Sequence, residues 1–165
     1  MLNALFNVQD RSLIRLALVT GMRSGEILAL RWQDIDLTEN ILSVEHTINF
    51  LGGGHFVLGT PKTKSSRRKI KFQKMIAEHF KELRHYQDQQ RELAGAEWDD
   101  SGFVFCNDFG RPLTQAGMPR QILYPALERG KVKRVRFQDL RHTCFSHMIA
   151  GGAVITDVSA IVGHA

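Results

Sequence analysis

Apolar residues recur every three to four positions over much of the chain, which is the spacing of a helix with one buried face. The first such stretch ends at Gly21, a residue type that commonly terminates helices, and Ser24 is placed to cap a short second helix. Further helices are predicted at residues 73–94, 115–129, 138–150 and 154–162, in addition to the first at 9–21. In the long charged helix, the predicted inward stripe consists of Met75, Ile76, Phe80, Leu83 and Tyr86.

An alternating pattern replaces the helical one between residues 40 and 72. It predicts strands at residues 40–48, 56–58 and 68–72, joined into a small antiparallel sheet. Three consecutive glycines, Gly52 to Gly54, precede the second strand. They lack the Lys-Ser/Thr sequel and the following helix of a phosphate-binding loop, so a hairpin turn is expected there. The predicted class is α+β, mostly helical, with a small three-stranded antiparallel sheet.

Size and charge narrow the class of partner. The chain has 165 residues, of which 43% are hydrophobic, as expected for one globular domain. Its net charge is +5, and the excess is concentrated in residues 62–74 and 129–136, which contain basic but no acidic side chains. Such islands favour a polyanionic partner, with nucleic acid ahead of an anionic membrane surface. Charge alone leaves a merely solvated surface as an equal alternative.

Cysteine and hydropathy patterns argue against several other classes. Cys106 and Cys144 lie far apart and without metal-type spacing, and Cys144 with His147 forms a pair that lacks further ligands. Neither a disulfide framework nor a metal site is expected. No export signal and no run of eighteen apolar residues is present in the sequence, so we expect a cytoplasmic protein without membrane contact.

Three short stretches carry residues suited to phosphate chemistry: TGMRSGE at residues 20–26, TPKTK at 60–64, and QDLRHT at 138–143 with VGH at 162–164. Each places a cation or an imidazole at the end of an apolar element, where the side chain can be held rigidly at a cleft. Arginine offers a planar fork for phosphate oxygens, and lysine can give up a proton when nearby cations lower its pKa. This combination suits phosphoryl transfer.

These stretches resemble the tyrosine recombinases of the phage-integrase type. TGMRSGE with LALRWQDID resembles the first arginine box of that family, QDLRHT with the downstream GH resembles the second, and PKTKSSRR resembles the lysine-bearing β-turn. The resemblance covers the chain from about residue 10 onward. It implies a catalytic domain that acts on double-stranded DNA, cuts one strand at a time through a 3′-phosphotyrosyl link, needs no metal or nucleotide cofactor, and assembles as a tetramer on DNA.

The resemblance also implies roles for individual residues. Arg23 and Arg141 would clamp the nonbridging oxygens of the scissile phosphate. Lys62 would protonate the departing 5′ oxygen, and His164 would hydrogen-bond the same phosphate. Gln138 occupies a position where the family usually has histidine; since an amide cannot shuttle protons near pH 7, only phosphate contact or positioning is expected of it.

Other residues near the motifs are expected to support the site or to bind DNA. Glu26 is expected to support Arg23 from one helical turn away, with an ordinary surface acid as the alternative. His142 is expected to be structural and buried against its own helix. Lys64 is the alternative to Lys62 as general acid and otherwise a contact to backbone phosphates. The expected nonspecific DNA contacts, some of which could instead be solvated, are Arg67, Arg68, Lys69 and Lys71.

The resemblance is incomplete at both ends. In the family a tyrosine follows the GH dipeptide by about ten residues, whereas this sequence ends at Ala165, and Tyr86 and Tyr124 lie in the wrong segments. We therefore expect residues 1–165 to be an integrase-type catalytic domain truncated before the nucleophile and without the N-terminal core-binding domain. Alone, it is not expected to cleave DNA. Two other functions fit less of the sequence: a non-catalytic DNA-binding module, and a helical domain whose basic surface binds an acidic protein.

Overall fold

The computed structural model describes residues 7–53, 55–60 and 67–154. The helices are α1 (Val8–Thr20), α2 (Ser24–Ala29), α3 (Lys74–Ala94), α4 (Tyr124–Arg129) and α5 (Phe137–Ala150). The strands are β1 (Ile35–Asp36), β2 (Ile41–Val44), β3 (Thr47–Gly52), β4 (His55–Gly59) and β5 (Arg68–Lys71). This arrangement confirms the α+β, mostly helical class.

Helix α1 forms the centre of the helical layer, because it packs against both α3 and α5. Its start is fixed by Asn7, whose side-chain oxygen accepts a hydrogen bond from the backbone N–H of Asp10 at 2.7 Å. Its end is fixed by Gly21, which adopts a left-handed conformation with φ 60° and donates its N–H to the carbonyl of Ala17. The chain therefore turns sharply at Gly21 and enters α2 only three residues later, at Ser24.

The three-stranded antiparallel sheet is present, but its members differ from those predicted. Strands β1, β2 and β5 form it, with Leu42 opposite Ile70, whereas β3 and β4 form a separate two-stranded hairpin. The single strand predicted over residues 40–48 is wrong, because the chain changes partner between β2 and β3. Alternation of apolar residues reports which face is buried, and it carries no information about which strand lies alongside.

The sheet and the helices share one core. The ring of Phe80 on α3 packs edge-on against Trp32 and Phe72, with ring centroids 6.1 and 5.5 Å apart. The predicted stripe on α3 is confirmed for Ile76, Phe80 and Leu83, which are buried. The inward placement predicted for Met75 is wrong, since its side chain is 55% exposed. Met75 lies one position before Ile76, which turns it about 100° away from the buried face.

The remaining predicted helices are partly observed. The stretch predicted as one helix over residues 115–129 contains a π-helical turn, Pro119–Leu123, followed by α4. The helix predicted at residues 154–162 lies outside the described residues, apart from Val154. Among the described helices, none combines the length and the apolar character needed to cross a membrane.

Candidate active site

The two predicted arginine motifs, residues 20–26 and 138–143, meet at a cleft of about 420 Å³ between α2, β3 and α5. Arg23, Gln138 and Arg141, three of the five residues expected to be catalytic, line this cleft. The structure thus brings together two stretches that are more than a hundred positions apart in the sequence. The other polar side chains at the cleft are Ser24, Thr47, Gln115 and His142.

Arg23 stands immediately before α2 in an extended conformation, with φ −70° and ψ 151°. The carboxylate of Glu26 accepts hydrogen bonds from both its backbone N–H at 2.9 Å and its guanidinium at 3.0 Å. Glu26 is only 3% exposed, whereas the side chain of Arg23 is 46% exposed. The acid therefore holds the arginine from the protein side and leaves part of the guanidinium facing the cleft. The alternative interpretation of Glu26 as a surface acid is wrong.

Glu26 has a second arginine partner, Arg68 of β5. The two side chains form a double contact, 2.9 Å between Nη2 and Oε2 and 3.3 Å between Nη1 and Oε1. Burial alone would raise the pKa of Glu26, but the two arginines outweigh it and hold the pKa below its ordinary value. Glu26 is therefore ionised at neutral pH.

This placement corrects the expectation that Arg68 is an exposed DNA contact, because its side chain is only 7% exposed. Side chains alternate along β5: Arg68 and Ile70 point inward, and Lys69 and Lys71 are exposed on the opposite face of the strand. The expected DNA contacts in this segment are thereby split into an inward arginine and two outward lysines. Arg67, just before the strand, is exposed.

Arg141 lies in the second turn of α5 and is 6% exposed. Its Nη1 donates a hydrogen bond to the carbonyl oxygen of Gly21 at 2.5 Å, and its guanidinium lies over the ring of Phe145, 5.2 Å from the centroid. Because Gly21 is two residues before Arg23, this bond joins the two motifs directly. It fixes α5 against the turn that carries the other cleft arginine.

The surroundings of Arg141 lower the pKa of its guanidinium. Burial, together with the cations of Arg23 and Arg68, lowers its pKa to about 10, and Glu26 offsets part of the effect. Arg141 remains protonated at neutral pH, since its pKa still lies well above 7. Among the described residues, three guanidinium groups and one carboxylate give a net positive charge beside the cleft, an arrangement that an anion would stabilise.

Sequence reasoning missed Thr47 and Gln115, which reach the cleft from β3 and from the loop before the π-helical turn. A Cβ atom on Gly25 would lie 2.7 Å from Oγ1 of Thr47 and 3.2 Å from Nε2 of Gln115. Only glycine lets α2 come this close to both residues. Gly25 was the one signal in the sequence for this close packing, and a glycine does not identify the residues that pack against it.

Gln138 and His142, both in the motif at residues 138–143, line the same cleft, and only the prediction for His142 is contradicted. Gln138 is exposed at the mouth of the cleft, where a phosphate contact is geometrically open to it. His142, which was expected to be buried against its helix, is exposed and lines the same cleft. The burial prediction is wrong because Arg141 and Cys144, three positions apart, occupy the inward face of α5 and turn His142 outward.

The remaining expected site residues are Lys62, Lys64 and His164, and all three lie outside the described residues. Their roles as general acid, backbone contact and phosphate ligand stay predictions.

The sequence as a whole matches the model of the phage integrase family over residues 1–165, so the chain belongs to that family. It is 28% identical over 165 residues to a protein named tyrosine recombinase XerC-like from Caldanaerobacter subterraneus, with 93% of this chain and 42% of the relative covered. It is 29% identical over 150 residues to an integrase of Staphylococcus phage L54a, with 88% of this chain and 42% of the relative covered. The chain thus spans less than half the length of these curated relatives.

The fold agrees with solved structures of recombinases. The Tn1549 transposon integrase in complex with transposon right end DNA superposes with a TM-score of 0.81 at 20% identity, covering 99% of this chain and 55% of that one. The XerA recombinase superposes with a TM-score of 0.71 at 23% identity, covering 96% of this chain and 49% of that one. Both likenesses concern the fold.

Proposed function

We propose that this chain is the catalytic-domain region of a site-specific tyrosine recombinase that binds double-stranded DNA and grips one phosphodiester in the cleft of Arg23 and Arg141. The observation that carries the proposal is the joining of the two arginine motifs through the bond from Arg141 to Gly21. Family membership supports the reaction class. In this proposal the protein acts on DNA in the cytoplasm and assembles as a tetramer on its site.

Each cleft residue would make a different contact with the phosphate. The guanidinium of Arg23 faces the cleft and would bind a nonbridging oxygen, and Arg141 would bind the other from the buried side. Gln138 would orient the phosphate through its amide. Such preorganised cations stabilise the negative charge that builds on the oxygens during phosphoryl transfer.

In the whole protein, a tyrosine hydroxyl would release its proton to solvent, and its oxygen would attack phosphorus and form the 3′-phosphotyrosyl bond as the bond to the 5′ oxygen breaks. Lys62, or Lys64, would donate the proton that the leaving 5′ oxygen takes up, and His164 would hydrogen-bond the phosphate. Religation would run the same step in reverse on a new strand. The step moves a phosphoryl group without any change of oxidation state.

The surface beside the cleft is suited to backbone phosphates. The loop before α5 exposes Lys131, Lys133, Arg134 and Arg136, and α5 continues directly to Gln138 in the cleft. Arg136 is held by Asp139, with a 3.0 Å contact between the charged groups. Contacts of this kind position a protein on duplex DNA and make its affinity depend strongly on salt. The alternative, an acidic protein partner, predicts little affinity for DNA.

The test of the phosphate cleft uses the 165-residue chain and orthovanadate, a phosphate analogue. Arg141→Ala removes charge-assisted hydrogen bonds of about 1.5–3 kcal/mol each, so orthovanadate affinity measured by calorimetry should fall at least about tenfold. Affinity for a 30-base-pair duplex should change less than about threefold, since one phosphate contact among many is lost. The matched control is Arg91→Ala, which removes a 57%-exposed arginine paired with Asp100 on the surface. Equal orthovanadate affinity in the wild type and Arg141→Ala would refute the assignment.

The catalytic part of the proposal needs a nucleophile. Extending the chain at its C-terminus with a tyrosine-bearing segment of a family member should yield a covalent protein–DNA adduct on a nicked suicide duplex. The Arg141→Ala version should bind the duplex and form no adduct. DNA binding without any adduct in the extended protein would favour the non-catalytic DNA-binding module instead.

A further inference from the structure

We propose that Arg68 is a positioning residue for the phosphate cleft, acting through Glu26 to orient Arg23, and that it does not bind DNA itself. The inference rests on the proposed function, because it concerns how that cleft is prepared for a phosphate. It reassigns a residue that sequence reasoning placed among the nonspecific DNA contacts.

The contacts form a continuous chain from the sheet to the cleft. Oε2 of Glu26 accepts hydrogen bonds from the backbone N–H of Arg23 and from Nη2 of Arg68, both at 2.9 Å. Oε1 accepts from Nη1 of Arg23 at 3.0 Å and from Nη1 of Arg68 at 3.3 Å. Each carboxylate oxygen thus bridges the two arginines. The plane of the carboxylate, and with it the direction of Arg23, is set by the fork of Arg68.

Arg68 is itself held rigidly. It lies on β5 opposite Val44 of β2, and its side chain points inward beside Ile70. With 7% exposure it has little room to reach solvent or a DNA backbone. The sheet therefore provides a fixed anchor, and the half-exposed Arg23 is the part of the chain that faces the ligand.

Positioning has a functional consequence because an arginine loses considerable rotamer freedom when it binds an anion. A side chain that is already oriented avoids this loss at the moment of binding. A lysine at position 68 would keep the positive charge but would offer a single ammonium in place of the bidentate fork. Charge and positioning are therefore separable by substitution.

The experiment compares Arg68→Lys and Arg68→Gln with the matched controls Arg91→Lys and Arg91→Gln at an exposed arginine paired with Asp100. Orthovanadate affinity is measured by calorimetry, and duplex affinity by fluorescence anisotropy over a series of salt concentrations. Both Arg68 variants should bind orthovanadate about tenfold or more weakly, with the salt dependence of duplex binding unchanged. The Arg91 variants should leave orthovanadate affinity as in the wild type.

Three outcomes would overturn the inference. A drop of about 0.9 in the log–log salt slope for Arg68→Gln would make Arg68 a direct phosphate contact. Wild-type orthovanadate affinity in Arg68→Lys, with a loss only in Arg68→Gln, would mean that charge alone matters. A lower Tm with unchanged orthovanadate affinity in both variants would mean that the ion pair is only structural.

A ligand-free readout separates this inference from the proposed function. The Nε–Hε resonance of Arg23 in the nuclear magnetic resonance spectrum of the 165-residue chain should broaden or shift in Arg68→Lys and stay in place in Arg91→Lys. If the wild type binds no orthovanadate, the proposed function fails while this spectrum still decides the positioning. An unchanged Arg23 resonance in Arg68→Lys would contradict the positioning role.

Discussion

Two regions of the molecule use the same residue types with opposite exposure. In the cleft, Glu26 is 3% exposed and Arg23 is 46% exposed. In the α1–α3 seam, which we define as Arg11 and Arg15 of α1 with His79 and Glu82 of α3, the order is reversed: Arg11 is 11% exposed and Glu82 is 48% exposed. In the cleft the acid Glu26 is buried and the cation Arg23 is presented, whereas in the seam the cation Arg11 is buried and the acid Glu82 is presented.

The difference in exposure between Arg23 and Arg11 distinguishes an arginine that can bind a ligand from one that makes a structural contact. A cation that is backed by a buried acid and faces a cleft keeps hydrogen-bonding capacity for an external anion. A cation packed between two helices is directed at its internal partner, as Arg11 is at Glu82, at 2.5 Å. Arginine clusters therefore indicate function only when the exposure of each member is known.

The largest expected effect is on stability. Glu26→Gln removes the acid from between two arginines and should lower the free energy of unfolding by about 3–5 kcal/mol, because a buried charge loses its partner. Glu82→Gln, the matched change in the seam, should cost about 0.2–1 kcal/mol, because half of Glu82 is in solvent. Urea unfolding of the three proteins measures both values. Equal losses in the two variants would show that the two regions do not differ in the way their exposures indicate.

A smaller effect is the contribution of His79, in the seam, to the pH dependence of stability. Burial lowers the pKa of His79, and Arg15 and Arg11 lower it further, while Glu82 opposes them. A depressed imidazole pKa means that the unfolded chain binds the proton more readily, so stability is fully present above about 6.5 and falls as the pH drops below it. The wild type should lose more stability between pH 7.5 and 5.5 than His79→Gln.

The comparison with His79→Gln also removes a competing contribution. Burial raises the pKa of Asp10 from 3.8 to about 6, with Arg129 opposing, so its contribution to stability falls as the pH rises through that range. This opposite trend is common to both proteins and cancels in the difference. If unfolding depended on pH identically in the wild type and in His79→Gln, His79 would not be the group whose titration changes the stability.

The sequence predicted α1, α3 and α5 to within one residue at each end and located the two arginine motifs of the cleft, because helical periodicity and short motifs are local. The helix predicted at residues 154–162 stays a prediction. The sequence did not predict the partner change at residues 45 and 46, since alternation is the same whichever strand lies alongside. Nor did it distinguish Arg68 from Lys69 and Lys71, because a basic run on a strand has two faces and the buried acid that selects one of them, Glu26, lies 42 positions away.

His142 shows a related limit. The motif placed it on α5 next to Arg141, but the face of the helix that is buried depends on which neighbours pack there. Thr47 and Gln115 had no local signal, because they enter the cleft only through the close approach that Gly25 permits. For Arg68, His142, Thr47 and Gln115, what could not be predicted was a long-range contact.

Arg23 and Arg141 are proposed to bind one phosphate together. Titration of orthovanadate into the ¹⁵N-labelled chain, followed through the arginine Nε–Hε resonances, measures whether they do. If they share one phosphate, the Arg23 and Arg141 resonances shift together along a one-site isotherm while those of Arg11 and Arg15 stay in place. Shifts spread equally over all four arginines, or confined to Arg11 and Arg15, would contradict this proposal.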